Sequence, residues 1–263
     1  MSSFSAQDVK ALRQATGAGM MDCKRALADN DGDMEAATQW LREKGMAKAA
    51  ARADRASDQG AVALAVGGNA AAVVELRCET DFSAKADDFT ALADELARLV
   101  LADGEDSVET RKAAIEDLSL AKKENVRLGK VVKVEASEGS ILDTYLHTQD
   151  GRGTSAVVVE ARGVSQDLAH EIALHIAFAK PSVLHRDEVD PDEVERERIA
   201  LTELTKAEGK PEQAWDKIVT GRLRAWYAER VLLEQGMFGE KETVQSRLGS
   251  GEIVRFELAA IGS

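Results

Sequence analysis

Ala72-Val73-Val74-Glu75-Leu76-Arg77 and Val157-Val158-Val159-Glu160-Ala161-Arg162 read as the same strand written twice. Each is an apolar, valine-rich run closing on Glu-x-Arg, and each is the return arm of a hairpin. In the first copy Gly60 opens a strand over 61–66, Gly67-Gly68-Asn69 turns it, and 72–78 comes back. In the second, Gly139 opens a strand over 140–147, Gln149-Asp150-Gly151-Arg152-Gly153 turns it, and Ser155 to Glu160 returns. A helix follows each hairpin. The first carries Phe89, Leu92, Leu96 and Leu99; the second carries Leu168, Ile172, Leu174, Ile176 and Phe178. A duplicated hairpin-plus-helix unit makes the middle of the chain α+β with antiparallel pairing. Between the copies lie a polar helix near 106–125 and an extra strand, Val131-Val132-Lys133-Val134.

Outward toward the N-terminus, three short helices are expected. Ser5 and Asp8 fit a capping box, with Phe4 and Val9 at the hydrophobic-staple positions. This helix turns Val9 and Leu12 to one face and stops at Gly17. Thr16-Gly17-Ala18-Gly19 leads into Met20-Met21 and a second helix with Cys23 and Leu27 on one face, closed by Asn30-Asp31-Gly32. Asp33 caps a third helix that turns Met34, Ala37 and Leu41 inward and ends at Gly45. Residues 46–56 favour helix but lack an apolar face, and read as a linker.

Outward toward the C-terminus, Asp190-Pro191 starts a long helix with Val194, Leu201 and Leu204 on its stripe. Gly209-Lys210-Pro211 stops and restarts it, and the second arm carries Ala214, Ile218 and Ala225. The pair forms a protruding antiparallel helical hairpin of coiled-coil type. Ile253 to Leu258 alternates like a strand returning to a sheet. The expected partition is therefore a three-helix domain over 1–45, a linker over 46–56 and two core subdomains over 57–138 and 139–186. A helical hairpin over 187–233 and a short C-terminal module over 234–263 complete it.

Composition narrows the function. Apolar residues make up 44% and charged residues 31%, as in globular proteins, with no membrane-length apolar run. Met1-Ser2-Ser3-Phe4 begins no secretory or transit signal, and two lone cysteines fit a reducing cytoplasm. The net charge of −13 lies wholly beyond residue 56, since residues 1–56 hold nine Lys/Arg against eight Asp/Glu. An acidic body without a basic patch argues against direct nucleic-acid binding. Sequence motifs for phosphate loops, zinc clusters and hydrolase elbows are absent. His170 and His175, five apart, lack the helical metal spacing. Neither a metal nor a cofactor is expected, and binding is the favoured activity.

One segment stands apart from this plain domain: Cys78-Glu79-Thr80-Asp81-Phe82-Ser83-Ala84-Lys85, at the junction of strand and helix in the first copy. The second copy has Gly163-Val164-Ser165 there. On its own, an aromatic at such a junction is either a staple on the following helix or an exposed probe.

The chain resembles elongation factor Ts over nearly its whole length. The residues that carry the resemblance are Leu12 to Ala26, Thr80-Asp81-Phe82, Tyr145-Leu146-His147, His175 to Pro181, and Glu208-Gly209-Lys210-Pro211. The resemblance implies a three-helix domain like ubiquitin-associated domains, a duplicated core, a helical hairpin and a short C-terminal module. It implies a guanine-nucleotide exchange factor that promotes GDP release from elongation factor Tu during translation, without covalent chemistry. Arg13, Met20 and Met21 would then lie on the partner's GTPase domain, although core filling is the plain alternative for the two methionines. Asp81 and Phe82 map to the family's Asp-Phe pair, whose Phe wedges between partner helices near the Mg²⁺ site. Thr80 and Ser83 flank that pair; Ser83 replaces the family's usual apolar residue. His147 would touch another part of the partner, or else be an exposed strand residue beside Ile141, Asp143 and Tyr145. A homodimer and a two-to-two complex both stay open. The rival reading is a ubiquitin-associated-like adaptor without exchange activity.

Overall fold

The central strand of each copy is buried on both faces because the two copies stack against each other. The computed structural model of the chain describes residues 4–50, 52 and 54–262, the side chains of 46–50 excepted. Met1 to Ser3, and residues 51 and 53 of the expected linker, lie outside the described residues.

Strands β1 (Gln59–Gly67), β2 (Ala70–Cys78) and β3 (Arg127–Glu135) form one antiparallel sheet with β2 central. Strands β4 (Ser140–Gln149), β5 (Arg152–Arg162) and β6 (Glu252–Ala260) form the second, with β5 central. Thus the extra strand and the C-terminal strand each complete one copy. Val62, Val73, Val134, Ala156, Val158 and Ala259 bury one face of each sheet against the other. The opposite faces take helices. Ala63, Val74 and Leu76 pack on α5 (Asp87–Asp103) through Phe89, Leu96 and Val100. Val157 and Val159 pack on α7 (Gln166–Ala179) through Ile172 and Ile176. The result is four layers, helix–sheet–sheet–helix, and the fold is α+β as expected.

The repeated glutamates serve one purpose in both copies. Glu75 and Glu160 are almost fully buried, and the pairing of each central strand with its outer neighbour slips beside them. Glu75 accepts from the Lys130 backbone N–H and from Arg77 Nε and an Arg77 terminal amine. Glu160 accepts from the Ser137 backbone N–H and from Arg255 Nε. Each carboxylate thereby satisfies a backbone donor and an arginine, as burial of a charge demands. Burial alone would raise the Glu160 carboxyl, but Ser137 and Arg255 outweigh it and hold it below the usual value.

The N-terminal helices are α1 (Ala6–Thr16), α2 (Met20–Asp29) and α3 (Met34–Ala50). The Ser5–Asp8 capping box is complete, and Asp33 Oδ1 accepts from the Glu35 and Ala36 amides that open α3. Leu12, Cys23, Ala26, Leu27 and Ala37 form the small core, with Phe4 and Val9 packed on it. Met34, expected to face inward, is exposed instead. The structure corrects one boundary: α3 passes through Gly45 instead of ending there. A Cβ at Gly45 would sit 2.9 Å from a Leu120 methyl on α6 (Lys112–Lys122), so this glycine gives room for close packing and does not cap. The residues before α6 form a 3₁₀ turn, Glu105–Arg111, and a four-residue helix α4 (Asp81–Ala84) precedes α5.

Helices α8 (Pro191–Ala207) and α9 (Trp215–Arg230) form the antiparallel hairpin. Its seam is rotated from the expected one. Thr205 and Val219 are buried, while Leu204 is half exposed and Ala225 exposed. Thr205 tolerates burial because its hydroxyl donates to the Leu201 carbonyl and accepts from Arg222. Beyond the hairpin, α10 (Val244–Leu248) and Met237 pack with Ile253 into the core of the second sheet.

At Gly153 the two sheets approach closely: a Cβ there would lie 2.1 Å from the Val62 carbonyl oxygen. Backbone cannot yield as a side chain can. Gly153→Ala is therefore expected to cost about 1–3 kcal/mol through forced separation of the layers. Urea unfolding monitored by circular dichroism checks this; an unchanged midpoint would show that the sheets are not in close contact there.

Candidate functional site

Thr80 ends the β2 exit and caps α4: its hydroxyl accepts from the Ser83 backbone N–H at 3.3 Å. A helix of four residues cannot hold itself in place. It is held from outside by Glu124, which follows α6. One Glu124 oxygen accepts the Glu79 and Thr80 backbone N–H groups, both at 3.0 Å. The other accepts the Thr80 and Ser83 hydroxyls, both at 2.6 Å. Burial pushes the Glu124 carboxyl up, but the Ser83 and Thr80 hydrogen bonds prevail and hold it below its ordinary value. Glu79 in turn accepts the Asn125 backbone N–H at 2.7 Å and pairs with Arg55 at 3.3 Å.

On the other side of α4, Lys85 bridges Asp81 at 2.9 Å and Asp150 at 3.1 Å. Asp150 stands at the tip of the β4–β5 hairpin, where it and Gly151 both take positive φ, the two-residue turn that matches strand twist. This ion pair ties the first copy's junction to the second copy's hairpin. The hydrogen bond from Lys85 holds the Asp81 carboxyl below its usual range, and the same bond raises Lys85. Beneath the junction the Cys78 thiol is buried and donates to the Thr80 carbonyl. Burial, and then the Glu124 charge, push it up to about 12, so it is an inert thiol.

Within this frame Phe82 is 85% exposed. It is no staple. Ser83 and Ala84 fill the inward positions of the turn, leaving Phe82 to point out. The second copy shows the contrast: there Val164 packs into the core and Ser165 caps α7.

The other expected residues are also at the surface. Arg13 is exposed on the last turn of α1. Met20 and Met21 are exposed in the first turn of α2, because Cys23, Ala26 and Leu27 occupy its inner face. The core-filling reading therefore fails for both methionines. His147 is exposed on β4 and its Nδ1 lies 3.0 Å from the Tyr145 hydroxyl. It lines a groove with Tyr145, Gln149, Arg152 and Phe178. Arg13, Met20 and Met21 are thus all exposed on the three-helix segment, while the Asp150 hairpin connects the Phe82 junction to the His147 groove.

Phe178 and Phe238 are surface residues that the sequence reading does not single out. Their rings lie 6.2 Å apart, and Phe178 is 69% exposed. Phe238 adopts a positive φ of 49°, unusual for an aromatic residue. Its N–H donates to His175 Nδ1 at 3.1 Å, which leaves His175 Nε2 protonated and donating to the Gln235 side-chain oxygen at 3.0 Å. Burial lowers the His175 pKa, partly opposed by Gln235. Among the described residues no group of His, Cys, Asp or Glu is placed to hold a metal ion. Nor is any helix there long and apolar enough to cross a membrane.

The elongation factor Ts family model matches residues 79–263, which begin at this junction and include β3 and the whole second sheet. The chain belongs to the elongation factor Ts family. It is thereby placed among translation elongation factors. It is 38% identical over 265 residues to an elongation factor Ts of Deinococcus deserti, covering 98% of this chain and 99% of that protein. With elongation factor Ts of Rhodospirillum rubrum it shares 39% over 262 residues, covering 92% and 84%. With that of Methylorubrum populi it shares 43% over 253 residues, covering 89% and 82%. Similarity to elongation factor Ts thus runs through the N-terminal helices as well as the core.

Two outcomes follow from this geometry. Phe82→Ala is expected to change unfolding stability by less than about 0.5 kcal/mol, because the ring has little to lose on truncation; a loss of several kcal/mol would show the ring buried. For His175, the unfolded chain takes up a proton more readily than the fold, which keeps the ring neutral. Acid therefore favours unfolding. Its stability contribution is complete above the ordinary pKa of 6.5 and declines as pH falls through it. Urea titrations between pH 5 and 8 on the native chain and on His175→Gln measure the difference, which should lie on the acid side.

Proposed function

We propose that this chain is a guanine-nucleotide exchange factor that promotes GDP release from elongation factor Tu in the cytoplasm, and that Phe82 is its principal acting group. The observation that carries the reading is a large aromatic ring held almost wholly in solvent on a rigid mount. Exposed phenylalanine costs solubility, and a flexible loop would let it fold back. Here hydrogen bonds and ion pairs on both sides of α4 keep it outward, which is preorganisation for a partner pocket.

Exchange needs no reactive group. A factor that binds nucleotide-free partner more tightly than GDP-bound partner weakens GDP by the same factor. The ring supplies the differential contact by wedging into the partner beside the metal and phosphate loop. Asp81, tied to Lys85, fixes the junction or competes for partner groups. Thr80 and Ser83 shape the turn. Arg13, Met20 and Met21 on the three-helix domain, residues 1–45, provide docking, and His147 meets a second part of the partner. Two exposed methionines side by side suit such a contact, being flexible and polarisable.

The test is release of a fluorescent GDP from purified elongation factor Tu. The native chain is expected to accelerate it. Phe82→Ala is expected to lower the maximal rate by about 30-fold, the loss typical of a buried aromatic anchor. Removing residues 1–55 should leave slow exchange that recovers at high factor concentration. An adaptor without exchange activity would bind the partner and accelerate nothing, and a Phe82→Ala variant with the native rate would remove Phe82 from the mechanism.

A further inference from the structure

We infer that Glu124 is the positioning residue of the Phe82 junction, fixing the angle at which the ring meets the partner. This rests on the exchange reading above and names the residue on which the wedge depends. Glu124 is remote in sequence from the loop, yet its single carboxylate receives four donors from it: two backbone amides and two hydroxyls. Those donors belong to Glu79, Thr80 and Ser83, on both sides of Phe82. A tilt of the four-residue helix in either direction breaks at least one of these bonds.

Capping alone does not explain the arrangement, because Thr80 already caps the helix through the Ser83 amide. Glu124 also holds the two residues that bracket the ring to the end of α6, a different part of the first-copy layer. Its own backbone is fixed. Lys123 before it takes a left-handed φ of 59°, and the Ser119 hydroxyl donates to the Glu124 carbonyl. After it, the Asn125 amide donates to Glu79, its side chain donates to the Arg55 carbonyl, and its own carbonyl accepts the Ser57 hydroxyl. The carboxylate is therefore mounted on structure at both ends. An ionised carboxylate accepts only, so all four donors can be served at once. Ser83 is the fourth donor, at 2.6 Å. Its hydroxyl adds a bond beyond those from the Thr80 hydroxyl and the two amides.

The experiment uses the full chain and purified elongation factor Tu carrying fluorescent GDP, with release measured across factor concentrations. Glu124→Ala is expected to lower the maximal release rate by about ten-fold while leaving the half-saturating concentration within about two-fold, since docking surfaces are untouched. Ser83→Ala should give a smaller loss of the same kind, and no further loss when added to Glu124→Ala, because the two act through one bond. A structural role alone would lower the melting point without this split. A native maximal rate in folded Glu124→Ala, or a raised half-saturating concentration with a native maximum, would overturn the assignment. If Glu124→Ala does not fold, Ser83→Ala decides by the same two criteria. If the native chain itself gives no acceleration, the exchange reading has failed. Amide exchange at Glu79 and Thr80 then judges the clasp separately: fast exchange in Glu124→Ala supports it, and unchanged protection overturns it.

Discussion

The face-to-face packing of the two three-stranded sheets is the contact on which the rest depends. Val62, Val73 and Val134 from one sheet meet Ala156, Val158 and Ala259 from the other. A three-stranded antiparallel sheet with a helix on one face would leave its other face apolar and wet. Duplication solves this by giving each copy the other as its cover. The small side chains at the contact let the layers approach so closely that Gly153 meets the Val62 carbonyl. The price is that charges and bulges must be handled inside the sandwich, which Glu75 and Glu160 do by accepting backbone and arginine donors.

That packing also creates the functional junction. Stacking the copies brings the β4–β5 hairpin tip to the exit of β2, where Asp150 meets Lys85. The first copy presents Phe82 to solvent at its strand-to-helix junction; the second has no aromatic there and packs a half-buried Val164 against its core. A rigid double layer behind the ring means that force on Phe82 is resisted by two cores instead of a loop. This is the physical requirement for pushing on another protein.

Much of this was legible. The repeated Val-Val-Glu strand announced the duplication, the Ser5–Asp8 pair announced a capped helix, and Asp190-Pro191 announced another, each through a local rule acting within a few residues. What was not legible depends on distant neighbours. Strands apolar on both faces carry no period, so the sheet-on-sheet contact left no pattern to read. Gly45 looks like a stop until Leu120 is placed against it. Glu124 gives no local sign of its role because its partners lie across the fold. Phe178 could have been found: Ile172, Leu174, Ile176 and Phe178 recur every second residue, and a helix turning roughly 100° per residue cannot bury all four. The seam of the helical hairpin was misplaced because Leu204 is the more apolar choice and Thr205 the better-placed one. At the site itself, the motif located Phe82, but only the burial of Ser83 and Ala84 shows which way the ring points.

The measurement that bears most directly on the account is stopped-flow GDP release from elongation factor Tu at saturating factor, in millimolar Mg²⁺ and in excess chelator. If Phe82 acts by disturbing the metal and phosphate loop, removing the metal duplicates part of its effect. Coupled changes of this kind do not add. Chelation should then speed intrinsic release and shrink the fold-acceleration that the chain gives. Equal acceleration in both conditions would contradict the account, leaving a factor that works through docking alone.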